Sequence, residues 1–307
     1  MAMAIDAWLL LLSFALGLAL ARVSLCAVAA LQQLIMARRY DGLLRLLLAA
    51  SGAGVTLLLL AGLAPGRVLL PAESATQAGA LAGGLLLGLG ALINGGCYLG
   101  SVLYLGSGNL NFLLTLVGIA GGEYAGGLAT GRAMAPALSL RMSMGPAWIA
   151  GTAGFTVVIL LVLLRARSRE RWLAVAAGLL AGLVYARHPG WSYGTVLESI
   201  AHGRYGAMSW AANLAALLLF AGAAAGALYT KRFSLQWPTL GRSLRCLAGG
   251  AIMGWGAARV PGGNDLLLLW AIPGLTLYGA LAYGSMLLVI ASGLLLGRRW
   301  GPAGASA

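Results

Sequence analysis

AGGLLLGLGALINGGCYLGSVLYLG, residues 82–106, contains no charged side chain and still does not read as one continuous helix. Asn94-Gly95-Gly96-Cys97 stands in its middle, and paired glycines interrupt helices. The tract is also longer than the roughly 20 residues that cross a ~30 Å hydrocarbon core. Non-helical backbone at that depth is tolerated only where protein buries it or where it lines a watery cavity. The stretch therefore predicts a membrane segment built from two half-helices that meet at a break.

The rest of the chain has the same solvent. Of 307 residues, 61% are apolar and 9% charged, where a soluble globule carries about 25% charged residues. Tracts such as GFTVVILLVLL (Gly154 to Leu164) recur along its length. The net charge of +13 rests on nineteen arginines and Lys231, most of them clustered between apolar segments. That is a membrane-topology pattern and not a nucleic-acid footprint. No basic residue precedes the first apolar run, which is read as a retained first span. Cys26, Cys97 and Cys246 form no C-x-x-C pair, and His188 and His202 have no metal-binding partner at i+4. A disulfide framework, a metal site and a cofactor are not expected. Walker, nucleophile-elbow and HExxH motifs are missing, so no enzyme is expected.

The reading is an all-α polytopic membrane protein, one domain over 1–307, with about nine transmembrane crossings. Five are simple: 45–64, 110–130, 146–164, 207–230 and 279–297. Four are broken: 6–37 at Arg22–Cys26, 76–105 at Asn94–Cys97, 172–202 at Arg187–Trp191, and 246–275 at Pro261-Gly262-Gly263-Asn264. With the N-terminus outside, the inner loops hold Arg38, Arg39, Arg45, Arg165, Arg167, Arg169, Arg171, Lys231, Arg232, Arg242, Arg245, Arg298 and Arg299. The outer loops hold only Arg67, Arg132, Arg141 and Arg204, while Arg22, Arg187 and Arg259 lie at or just before breaks. This excess puts the N-terminus outside, in the periplasm, and the C-terminus inside, in the cytoplasm.

A repeat is visible in the breaks. Sliding Ala82–Cys97 by 166 positions lands it on Ala248–Gly263 with seven of sixteen residues identical. A shift of 165 sets Gly17-Leu18 and Ala21-Arg22 on Gly182-Leu183 and Ala186-Arg187, with Cys26 opposite Trp191. Each unit then holds four crossings, 6–130 and 172–297, joined by the single span 146–164. The odd linker inverts the second unit, as in transporters whose substrate site lies among discontinuous helices at the midplane.

The candidate pathway residues follow from the breaks: Arg22, Cys26, Asn94, Gly95, Gly96, Cys97, Arg187, Trp191, Gly262, Gly263 and Asn264. Free amides at a half-helix start favour an anion, and a thiol there adds a weak S–H donor and a polarizable sulfur. The plainer alternative for Cys97 is a small apolar residue in a packed helix pair. Arg22 and Arg187 either flank the pathway symmetrically or bond to loop carbonyls, and Arg259 is a weaker third candidate. Glu123 and Glu198 are carboxylates available to these arginines; the sequence leaves the pairing open. Asp265 reads as a helix cap, Cys246 as structural, and the GxxxG spacings Gly84/Gly88, Gly118/Gly122/Gly126 and Gly250/Gly254 as close helix packing.

GALINGGCYLGSVLYLGSGNLNFLLTLVGIAGG (Gly90 to Gly122), with its Gly-Gly-Cys-x-x-Gly stretch and its Gly-x-Gly-Asn continuation, resembles the YeeE/YedE family of bacterial inner-membrane sulfur-transport proteins. AGGAIMGWGAARVPGGNDLLL (Ala248 to Leu268) resembles the matching C-terminal stretch, and the likeness extends over most of residues 15–297. It implies a permease for a small sulfur-containing anion such as thiosulfate, passed along by S–H···S contacts between cysteines at the breaks. It also implies delivery to a small cytoplasmic sulfurtransferase of the TusA type. Cys26 and Cys97 match the first two cysteines of such a relay. Gly263 stands where a third would be, which suggests a shortened relay with a wider gap there, bounded by Asn264, and a bulkier sulfur substrate.

Other classes make distinct demands. A membrane thiol oxidoreductase needs two cysteines that can pair, a general anion carrier needs no thiol, and a structural subunit needs no broken helices. The topology is checked with a C-terminal reporter that works only in the periplasm. It is expected to be inactive, and activity would overturn both the nine-crossing layout and the inversion.

Overall fold

The computed structural model describes residues 2–129, 140–141, 145–165, 168–204, 209–260 and 262–300, with side chains for those between 7 and 297 other than 140–141. Arg132, Arg167, Pro261, the last residue of the 110–130 crossing and the tail after residue 300 lie outside the described residues.

The elements are helical. They run α1 (Ala2–Val23), α2 (Ala27–Ala37), α3 (Asp41–Leu63), α4 (Gln77–Asn94), α5 (Tyr98–Gly106), α6 (Phe112–Ala129), α7 (Ala147–Arg165), α8 (Arg169–Arg187), α9 (Tyr193–Ala201), α10 (Trp210–Tyr229), α11 (Leu240–Ala257), α12 (Asn264–Leu266, continued by a π-helical turn Leu267–Ala271) and α13 (Leu277–Trp300). A two-residue antiparallel ladder, β1 (Leu70–Pro71) on β2 (Leu140–Arg141), ties two loops at one end of the bundle. Hydrocarbon dictates this composition, because only a helix satisfies its own backbone there.

Among the described residues, seven helical spans are long and apolar enough to cross a membrane: Ala7–Ala37, Asp41–Leu63, Gln77–Gly106, Phe112–Ala129, Ala147–Arg165, Trp210–Tyr229 and Leu277–Gly297. The chain is an all-α polytopic membrane protein. Helices α8 and α11 fall outside this set because their early turns carry Arg169, Glu170 and Arg171, and Arg242 and Arg245. Several helices outrun the apolar runs of the sequence by a few residues, α3 starting at Asp41 and α11 at Leu240. Charged residues can prolong a helix past the hydrocarbon edge, where water solvates them.

Glycine sets how closely the helices approach. Helix α6 packs on α11, α4 lies between α11 and α13, α1 packs on α10, and α3 on α8. A β-carbon on Gly122 would strike the Ala251 carbonyl, and one on Gly254 would strike that of Ile119, so α6 and α11 each lend small residues to the other. Gly84 meets α13 at the Ala282 carbonyl in the same manner. Without a hydrophobic force between helices in lipid, such backbone proximity is the main source of packing energy. Helix α7 is peripheral: Leu163 is its only buried residue, and Trp148 and Phe155 pack on Gly62 and Gly54 of α3.

Polar pairs gather at the ends. Arg45 bonds Glu170 at 2.7 Å and Arg171 bonds Asp41 at 3.3 Å, which brings the start of α3 to the start of α8. The α5–α6 loop meets the α10–α11 loop through Leu110 N–H to Gln236 O at 3.1 Å and Ser234 N–H to Ser107 O at 2.9 Å.

Adjacent glycines of α6 offer a clean test of the packing. Gly122→Ala is expected to destabilise by roughly 1–3 kcal/mol through overpacking. Gly121→Ala, where a β-carbon meets nothing within 4 Å, should be neutral. Thermal unfolding of the detergent-solubilised protein reads both.

Candidate functional site

Four of the helices start deep in the bundle after a break, and the residues at those starts are Cys26, Cys97, Ser192 and Gly263. All four have extended backbone, and each is preceded at one or two residues by a left-handed residue: Ser24 (φ 55°), Gly95 (φ 75°), Gly190 (φ 73°) and Gly262 (φ 72°). A left-handed residue ends the first helix and re-aims the chain, and the extended one opens the next. Cys97 follows Cys26 by 71 residues, and Gly263 follows Ser192 by the same interval. Ser192, one residue beyond Trp191, is thus the residue placed as Cys26 is. It closes a capping box with Thr195, while the Trp191 indole donates to the Ala212 carbonyl at 3.1 Å.

The structure brings Cys26 and Cys97 together. Both are 1% exposed, and the Cys97 thiol donates to Cys26 Sγ at 3.8 Å. Cys97 Sγ in turn accepts the free Ala27 N–H at the start of α2, at 3.4 Å. Each sulfur is therefore held against the other's half-helix. Gly100 makes this possible, since a β-carbon there would lie 2.6 Å from Cys26 Sγ. Cys26 also reaches a cavity of about 300 Å³ whose wall includes Ser24, Gln33, Tyr104, Ser107 and Arg232. Its walls are polar and cationic toward the α10–α11 loop.

Asn94 and its neighbours hold the second break rigid. The Asn94 amide donates to the Gly96 carbonyl at 2.7 Å and to Ser101 Oγ at 3.3 Å, and its Oδ1 accepts from Thr115 at 2.7 Å. Gly95 carries the left-handed turn, and the Arg242 guanidinium lies 3.2 Å from where its β-carbon would be. Gly96 faces the stacked rings of Tyr104 and Phe112.

With the thiol pair built from these half-helices, the comparison with known families is decisive. Residues 22–177 match the family model described as sulphur transport. The chain belongs to the sulphur-transport family. No curated protein matches it. The matched region contains both thiols, the Asn94 clamp and Gly100.

The fourth break of this sulphur-transport family member departs from the sequence reading. Gly263 has φ −80°, so any residue fits its backbone. No gap stands there, because a β-carbon would run into the Tyr98 ring, which fills the space left by the missing side chain. Asn264 Oδ1 accepts the Tyr98 N–H at 2.9 Å, which joins the second break to the fourth. Tyr193 donates to the Tyr98 carbonyl at 2.9 Å, and the Tyr98 hydroxyl donates to Glu123 Oε1 at 3.0 Å. Beyond this plug a narrow cavity of about 10 Å³ is lined by Trp191, Ser192, Tyr193 and Asp265, among others.

Arg22 and Arg187 do not join the thiols. The Arg22 guanidinium lies 4.3 Å over the exposed Tyr229 ring, and Arg187 lines a separate peripheral cavity with Trp8, Leu12 and Leu183. Arg259 lies 5.7 Å over the Trp255 ring. Cys246 is buried inside α11, away from any break. Glu123 pairs with a phenol, and no arginine bridge to it is found among the described residues. Sequence reasoning missed Tyr98, Tyr193, Ser192 and Arg232. The 166-residue offset, applied to Cys26, would have found Ser192; nothing local marked the tyrosines.

The packing of Tyr98 on Gly263 predicts coupling. Gly263→Cys alone should lower the yield of folded protein, and combining it with Tyr98→Ala should restore it. An interaction energy of roughly 0.5–3 kcal/mol is expected for residues in contact, measured as a double-mutant cycle of thermal stability.

Proposed function

We propose that this chain is a permease for a small sulfur-containing anion of the thiosulfate type, which passes a central pathway marked by Cys26 and Cys97. The observation that carries the reading is the thiol pair itself: two unpaired cysteines at 3.8 Å, each at a half-helix start, beside a cavity with a cationic rim. A helix N-terminus attracts an anion, and a thiol offers a sulfur substrate a weak hydrogen bond with a polarizable partner. The remaining residues at the breaks, Asn94, Gly95, Gly96, Trp191, Gly262, Gly263 and Asn264, shape the route.

The architecture that suits this role is nine crossings in two inverted units, 6–130 and 172–297, about the span 146–164. The helix contacts support it. Exchanging α1–α6 with α8–α13 turns the pair α1·α10 into α8·α3, α4·α13 into α11·α6, and α2·α13 into α9·α6, and all of these pairs are in contact. A pseudo-two-fold axis in the membrane plane has this effect. In this layout the chain lies in a bacterial inner membrane with its N-terminus periplasmic. The cavity at Cys26 then faces the cytoplasm, where a TusA-type sulfurtransferase would receive the sulfur.

The test is uptake of labelled thiosulfate, sulfite and sulfide into sulfur-starved cells expressing the protein. Thiosulfate is expected to enter, and uptake competed by chloride or phosphate would instead favour a general anion carrier. Cys97→Ala should reduce uptake by roughly tenfold or more at unchanged expression, the worth of one hydrogen bond to a charged group. Cys246→Ala should change it little. Equal effects of the two substitutions would remove the thiol pair from the pathway.

A further inference from the structure

Two carboxyl groups lie inside the bundle with no cation among the described residues to offset them. Glu123 is the twelfth residue of the eighteen in α6, so it stands near mid-membrane, and it is 4% exposed. Asp265 is 4% exposed at the second position of α12. One oxygen of each, Glu123 Oε2 and Asp265 Oδ1, is buried without a hydrogen-bond partner. No ion pair reaches either acid among the described residues. A membrane protein retains an ionisable side chain at such depth for a role, commonly in an ion or proton pathway.

Their surroundings are acids, phenols and a thiol. Glu123 faces Tyr98 from α5, Glu198 from α9 and Asp265 from α12, while α11 presents Gly254 to it. Asp265 faces Tyr185 of α8, Ser192 and Tyr193 at the start of α9, and Cys97 of α5. His202 is turned to the Tyr124 ring. Polar atoms link the two acids through the plug. Tyr193 shares the small cavity with Asp265 and donates to the Tyr98 carbonyl, and the Tyr98 hydroxyl donates to Glu123. That cavity, about 10 Å³, is close to the size of a single water probe.

We propose that Glu123 and Asp265 are the proton-binding sites of a symport in which one thiosulfate-like dianion enters with two protons. The inference rests on the sulfur-anion reading and supplies what that reading lacks. Against an inside-negative potential of 100 mV, a bare dianion is held back on the order of a thousandfold. Two protons, one on each carboxyl, balance the two charges of the dianion, so a complete cycle moves no net charge, and both are released to the cytoplasm with the anion. No bond other than O–H is made or broken. Tyr98 couples the two events, because its ring closes the route between Gly263 and the thiols while its hydroxyl is held by Glu123.

The experiment uses the full chain in liposomes carrying an internal pH dye, with labelled thiosulfate outside and the potential clamped by potassium and valinomycin. Thiosulfate suits the purpose because it stays fully ionised at neutral pH and carries no proton of its own. Wild type is expected to acidify the lumen by about two protons per thiosulfate, to respond to a pH gradient and to ignore the potential. Glu123→Gln and Asp265→Asn should each lower the ratio to about one. A purely structural role would change the rate and leave the ratio unaltered. Where a variant does not fold, the wild-type ratio and Glu123→Asp, which keeps the carboxyl and should keep the ratio, decide the matter. Thiosulfate entry without acidification, or with a ratio that neither variant changes, would overturn the symport and leave the permease standing. No thiosulfate entry by wild type would overturn both.

Discussion

A backbone that leaves the helix inside a membrane exposes amides and carbonyls that lipid cannot solvate. Among its described residues this chain interrupts its helices at four places deep in the bundle, and the breaks are satisfied largely by one another and by their own side chains. The Ala27 amide of the first break is met by Cys97 of the second. The Tyr98 amide of the second is met by Asn264 of the fourth. The third closes on itself through Ser192 and Thr195, and Tyr193 reaches across to the Tyr98 carbonyl. Polar satisfaction and the gathering of functional groups are here one event: the breaks converge because apart they would be left unpaired.

Convergence needs helices that come close, and the glycine faces of α4, α6 and α11 provide that. Gly90 of α4 faces Gly249 of α11, while Gly254 of α11 faces Ile119 of α6. Gly100 shows the same economy on a smaller scale, giving up a side chain so that the Cys26 sulfur has a place beside α5. Larger residues at these positions would hold the half-helices apart, and the sulfur atoms with them.

Of the two ends of this arrangement, one is built from sulfur and the other from oxygen. On one side of Tyr98 lie Cys26 and Cys97, with a cavity of about 300 Å³ at Cys26. On the other lie Ser192, Tyr193 and Asp265 around a void of about 10 Å³. The two ends therefore differ in chemistry as well as in size. Tyr98 marks the division, packed on Gly263 and tied to Glu123.

The amino-acid sequence by itself determined the membrane class, the position of each break and the presence of Cys26 and Cys97 at two of them, because hydrophobicity and paired glycines act locally. It also marked Gly118, Gly122, Gly250 and Gly254 as packing residues through their spacing. It misjudged Gly263, since an absent side chain looks like open space until the ring that fills it is known. It set Arg22 and Arg187 in the pathway, whereas the direction a side chain takes at the end of a helix depends on neighbours such as Tyr229, distant in the chain. Only the tertiary structure decided that Glu123 answers to Tyr98 and that Ser192 takes the position matching Cys26. Those relations join residues tens of positions or more apart, and no local pattern encodes a contact whose partner arrives from another helix.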